Sequence, residues 1–129
     1  MLDRIDIQAE VSPVVYEDLG SRKSGETSAR IKERVVRAHE IQLVRYSKEK
    51  IMFNSQLGAK QIEAYCKLGP AEEKLLKSAF DSLKLSARGY HRILKVARTI
   101  ADLDYSEDIS VMHLAEAIQY RSLDRKYWN

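Results

Sequence analysis

The chain has 129 residues and a formal net charge of +3, with 32% charged and 44% hydrophobic residues, five glycines and two prolines. That composition suits one soluble globular domain weighted toward helix, and so small an excess of positive charge does not by itself identify a nucleic-acid binder. The single cysteine, Cys66, excludes an internal disulfide or a multi-cysteine zinc site, and no apolar run of membrane length or leader-like start is present, so the expectation is a cytoplasmic protein with no membrane partner.

Ile5, Ile7, Ala9 and Val11 alternate with Asp6, Gln8 and Glu10 and predict a half-buried strand that ends before Pro13. A lone strand cannot satisfy its own backbone groups, and nothing later in the chain offers a clear ladder partner. The reading is therefore that the chain begins inside a larger protein, just before the last strand of a sheet, and that residues 1–20 pack poorly without it. GSRKSGET, residues 20–27, trades apolar residues for glycines, serines and charges and reads as a linker.

Thr27 or Ser28 caps a long helix expected to reach about Lys50, with Ile31, Val35, Val36, Ala38, Leu43 and Val44 on a broad apolar side and Arg30, Arg34, Arg37 and Arg45 mostly in water. Asn54, Ser55 and Gly58 interrupt it before a short helix over residues 59–67, with Ile62, Tyr65 and Cys66 toward the core. Gly69-Pro70 then stops one helix and starts the next, because a proline at the first helical position lacks only a donor that would be orphaned there. Glu72 and Glu73 fall in that first turn, where the helix dipole favours negative charge.

Residues 86–103 have the clearest period. Tyr90, Ile93, Leu94, Ala97, Ile100 and Ala101 line one side of a helix, while Arg88, Arg92, Lys95 and Arg98 stand on the other against Asp102 alone. Such a basic side is either a solvated face or a device for holding phosphate. Ser110 caps a last helix with Val111, Leu114, Ala115 and Ile118 inward, followed by the tail YRSLDRKYW. The fold class is all-α, a bundle of about five helices preceded by a short strand.

The chain contains neither a GxxxxGK[ST] loop nor a GxGxxG fingerprint. His39, His91 and His113 lack metal-ligand spacing and read as surface or packing residues, and nothing supports a nucleophile elbow, so no metal site is expected. Two arginines stand out: Arg4, flanked by Asp3 and Asp6 at the start of the strand, and Arg88, in the first turn of a helix. Arginine is always charged and offers a planar fork suited to phosphate oxygens, although either residue can equally be a solvated or locally paired charge.

LDRIDI at residues 2–7, GETSARIKERV at 25–35, LSARGYHRILKVARTIADL at 85–103 and AEAIQYRSLDRKYW at 115–128, in that order, resemble the C-terminal part of magnesium chelatase-like AAA+ ATPases of the competence-associated ComM type. The resemblance implies residues 1–20 as the end of an α/β core that lies upstream, 21–27 as a linker and 28–129 as a helical lid. It makes Arg4 an arginine finger acting in trans on a neighbouring subunit's ATP, and Arg88 the lid's sensor arginine. Arg88 and Arg92 become the nucleotide-binding candidates.

It further implies ATP and Mg2+ in the whole protein, none bound to this piece alone, a homo-hexameric ring, and DNA as a candidate partner in branch migration or helicase work during competence and recombination. The parent is then an ATPase and the piece alone is inactive. Two other readings stay open: a self-standing helical nucleic-acid-binding or oligomerisation module, and the lid of a magnesium-porphyrin chelatase motor. The aromatic and basic residues of the tail, Tyr120, Tyr127 and Trp128 with Arg121, Arg125 and Lys126, either stack on bases or dock the tail.

Overall fold

The computed structural model describes residues 5–8 and 25–121. Among them are five helices: α1, Ser28–Arg45; α2, Ala59–Tyr65; α3, Pro70–Leu83; α4, Ala87–Leu103; and α5, Val111–Gln119; a single 3-10 turn, Asn54–Gln56, lies between α1 and α2. The all-α bundle expected from the sequence is the observed architecture.

Local chemistry sets most of the helix ends. Thr27 accepts from the Arg30 amide, Ser86 from Gly89 and Ser110 from His113, each side-chain oxygen filling a donor that the first turn leaves unpaired. Pro70 opens α3 with Glu72 and Glu73 in its first turn. Lys84 closes that helix in the left-handed region, φ 51°, which lets the chain reverse into α4 within three residues.

Helix α4 is the centre of the bundle and touches α1, α2, α5 and the 3-10 turn. Its Ile93, Leu94, Ala97 and Ala101 meet Leu114 and Ala117 of α5, Leu76 of α3, Ile62 of α2 and the loop residues Tyr46, Leu57 and Ile109. Ile93 and Leu114 are wholly buried, and each contributes roughly 1.5–3 kcal/mol from leaving water. Tyr46 packs edge-on to Tyr65 at 5.0 Å and Phe80 edge-on to Tyr90 at 6.0 Å, ties that pin α2 and α3 to their neighbours.

Cys66 is a core residue, and burial pushes its thiol up to about 11. A thiol reagent at pH 8 is expected to leave the folded chain unmodified and to label it promptly once guanidinium unfolds it; fast labelling of the native protein would contradict this packing. Because the folded value is raised, the thiol's contribution to stability is whole below pH 9 and falls away as the pH climbs from about 9 to 11.

Four expectations are corrected. Helix α1 stops at Arg45, not near Lys50, because the next residue, Tyr46, buries its ring in the core and the chain turns there. Its broad apolar side is not buried: the helix turns inward the stripe of Ala38, Gln42 and Arg45, whereas Ile31, Val35, Val36, Leu43 and Val44 are exposed. In α5 the inward residues are His113, Leu114 and Ala117, while Val111 and Ala115 face outward. Lastly, residues 5–8 of the expected strand form no ladder. Ile5 and Ile7 are exposed, Gln8 is buried, and the Gln8 amide donates to the Tyr120 carbonyl at 2.9 Å, taking a helix end in place of a neighbouring strand. Positions 9–11 lie outside the described residues.

Candidate functional site

The first turns of α4 are built around a small residue. Gly89 is buried beneath the Ser86 cap, and a Cβ there would meet Ser86 Oγ at 3.4 Å, Leu85 at 3.7 Å and the Arg121 guanidinium at 3.8 Å. With that side of the helix pressed inward, Arg88, His91, Arg92 and Lys95, three, four and seven residues apart, share the opposite side. They line a groove of about 360 Å³ whose far wall is Leu57, Ala59 and Ile62.

The four basic side chains differ in how far they are committed. Arg88 is exposed, and no hydrogen bond or ion pair to the described residues engages its guanidinium. Arg92 is partly buried and ion-paired through Nη1 with the Asp6 carboxylate, while its buried Nε finds no acceptor among the described residues. Lys95 donates to the Ser55 carbonyl at 3.1 Å, so this half-buried residue is a bridge between α4 and the 3-10 turn as well as part of a wet face. The sequence candidates Arg88 and Arg92 thus come together in one groove. Arg4 lies outside the described residues, as do Tyr127, Trp128, Arg125 and Lys126 of the tail.

The donor set fits the oxygens of a phosphate group: an exposed guanidinium unpaired among the described residues, a second guanidinium, and an ammonium within the same groove. It does not fit a metal, and among the described residues no cluster of three or more His, Cys, Asp or Glu side chains is placed to hold one. A wider cleft of about 820 Å³ adjoins it, sharing Arg92 and Lys95 and bounded by Asp6, Arg34, Thr99 and Asp104 among others.

Arg98 is the exception on the basic side. It is 4% exposed, donating to the carbonyls of Glu107 at 2.9 Å and Ser106 at 2.7 Å, and it lies 3.3 Å from the Asp102 carboxylate. Asp102 is itself 1% exposed and accepts two hydrogen bonds from Arg45, at 2.9 and 2.5 Å, and one from Asn54 at 3.0 Å. Burial works against the charge on Arg45, but the bonded carboxylate outweighs it and raises the guanidinium above its ordinary value.

Asn54 completes the network. Its amide nitrogen also donates to Thr99, its side-chain oxygen accepts from Tyr46 at 2.5 Å, and its backbone N–H donates to Gln42 Oε1. These bonds fix the turn that carries Ser55 and Leu57, and so place the far wall of the groove. The sequence reading put Arg45 in water and Arg98, with Asp102, on a side that was either solvated or phosphate-holding; the available signal was the four-residue spacing of Arg98 and Asp102, with Arg98 directly beside Leu94 and Ala101 on the helix circumference.

His113 is a packing residue. Its Nδ1 accepts from the Ser110 amide at 3.0 Å and its Nε2 lies 2.8 Å from Asp104, which closes the cap of α5. His39 stacks on Phe53 with centroids 4.5 Å apart, and His91 sits at the groove. No helix among the described residues is long and apolar enough to cross a membrane.

Residues 25–121 match the family described as magnesium chelatase, subunit ChlI C-terminal. The chain is 44% identical over 128 residues to the Competence protein ComM of Haemophilus influenzae, and 40% identical over 127 residues to the uncharacterized protein YifB of Salmonella typhimurium. A further relative, YifB of Escherichia coli, is 40% identical over 126 residues. Each alignment takes in 96% of this chain but 24% of the relative, so the chain spans about a quarter of the length of these curated relatives.

Proposed function

Because the chain belongs to the magnesium chelatase ChlI C-terminal family, we propose that it is the helical lid of an AAA+ type ATPase whose P-loop lies in another part of the whole protein. The observation that carries this reading is the exposed Arg88 guanidinium, unpaired among the described residues, in a groove shared with His91, Arg92 and Lys95. In this reading Arg88 donates to oxygens of the terminal phosphate and reports its presence by drawing the lid closed, and Arg92 adds a second positive charge. The nucleotide with its Mg2+, held elsewhere in the protein, supplies the reacting bond.

The bundle then acts as one stiff body, because the Asp102 network locks α1, the 3-10 turn and α4 together. Arg4 is proposed as the finger offered to a neighbouring subunit of a homo-hexameric ring in the cytoplasm. Similarity to the Competence protein ComM favours DNA as the motor's substrate, with branch migration or helicase work in competence and recombination as its task.

The test uses the whole protein. Arg88→Ala is expected to lower ATP turnover about 100-fold, the scale of losing one preorganised donor to a developing charge, with assembly unchanged. The present 129 residues alone are expected to show no turnover. Turnover undiminished by Arg88→Ala, or hydrolysis by the isolated chain, would sink the lid reading.

A further inference from the structure

Arg92 stands where the groove and the wider cleft meet, and it serves both. On the cleft side its partner is Asp6, one of the ties among the described residues that hold residues 5–8 against the ends of the bundle. Others are Arg121, a 1% exposed guanidinium whose Nη1 donates to the Ile5 carbonyl, and the Gln8 amide on the Tyr120 carbonyl. Two of these ties are made by residues that are themselves buried, Arg121 and Gln8. The Asp6–Arg92 pair is the accessible one, with side chains 50% and 28% exposed.

We propose that a phosphate-bearing ligand in the groove competes with Asp6 for Arg92, so that occupancy of the groove loosens the hold on residues 5–8. This rests on the reading of the groove as a phosphate site. Two features argue for it. A phosphate group between Arg88, His91 and Lys95 offers more acceptor oxygens and more negative charge than one half-exposed carboxylate. The buried ties through Arg121 and Gln8 stay in place while the exposed one exchanges, which makes the change a loosening and not a release. Ile5 follows Arg4 directly in the chain, so the consequence is a link between ligand in the groove and the tether of the proposed finger.

The experiment uses the whole protein with ATP as the probe, affinity being read by titration calorimetry and the tie by hydrogen exchange at the Gln8 amide. An exposed ion pair holds a segment by a factor of about two to five, so saturating ATP is expected to speed Gln8 exchange by about that factor. Asp6→Asn is expected to show the faster exchange without ATP and to bind ATP about two- to fivefold more tightly, the competing pair being gone. In an Arg92→Ala background Asp6→Asn is expected to change affinity no further; a persisting gain would mean that Asp6 acts through its charge at a distance and not by holding Arg92.

ATP binding that Arg88→Ala weakens, accompanied by unaltered Gln8 exchange, would overturn the competition and leave the groove assignment standing. ATP binding by the whole protein that is indifferent to Arg88→Ala would overturn the groove assignment and the competition with it.

Discussion

Replacing Asp102 with alanine is expected to destabilise the bundle by about 3–5 kcal/mol, the scale for removing one partner from a buried ion pair. The carboxylate accepts from Arg45 and Asn54 and is ion-paired with Arg98; Asp102 and Arg98 are buried and Arg45 partly so. Its loss leaves two guanidinium groups facing each other with no anion between them, and their desolvation is then uncompensated. Ordinary domains are stable by only about 5–15 kcal/mol, so a denaturation midpoint should fall steeply.

Asp102→Asn separates charge from shape. It keeps the volume and an acceptor but removes the negative charge, and is expected to lie between alanine and the natural residue. A triple change to apolar residues, Arg45→Met, Arg98→Met and Asp102→Leu, is expected to recover much of the loss, because it removes the charges together. A loss below about 1 kcal/mol for Asp102→Ala would show that water enters the network and that the arginines are not held by this carboxylate.

Replacing Arg4 with alanine in the whole protein is the larger kinetic effect. If Arg4 is the finger proposed above, turnover should drop by roughly 10³ to 10⁵, as in other phosphoryl-transfer systems where an arginine meets the charge building on the transferred group. The loss should fall on kcat with little effect on KM, since the charge it meets grows only as the reaction proceeds.

Action in trans has its own signature. Subunits carrying Arg4→Ala, mixed with subunits whose P-loop lysine is replaced, should regain part of the turnover, because the second set offers intact fingers to the first set's nucleotide sites. Mixed rings with no more activity than either parent would place the residue's role within its own subunit or remove it from the chemistry. Arg88→Ala should show no such rescue.

How much of this was legible beforehand differs from element to element. Caps could be read because they depend on neighbours three residues apart: Thr27, Ser86 and Ser110 all begin helices as their hydroxyls suggest, and Pro70 opens α3. The core stripe of α4 was equally plain, since its apolar residues repeat with the helical period. Arg88 and Arg92 were visible as neighbours on one helix side, but the wall they face, Leu57 to Ile62, comes from a segment some thirty residues earlier.

The misreadings share one cause. Ile31, Val35 and Val44 have the pattern of a buried face, yet an amphipathic pattern says only that a helix can be buried, not which of its sides the partners cover. Arg45, Arg98 and Asp102 look like surface charges because isolated charges are costly to bury; whether three of them bury together depends on their meeting in space. Residues 5–7 alternate as a strand does, but alternation cannot supply the adjacent strand that a ladder requires.

The amino-acid sequence by itself therefore determined the helices, their starts, the apolar stripe of α4 and the family, since propensity, capping and periodicity act over a few residues and a family's signatures are read in order along the chain. Only the tertiary structure decided that Asp102 draws Arg45 and Arg98 inward, that Arg92 divides its allegiance between Asp6 and the groove, and that Arg88 has no partner among the described residues. Those outcomes depend on which charges are brought within bonding distance and shut off from water, and contacts between residues tens of positions apart leave no local trace in the chain.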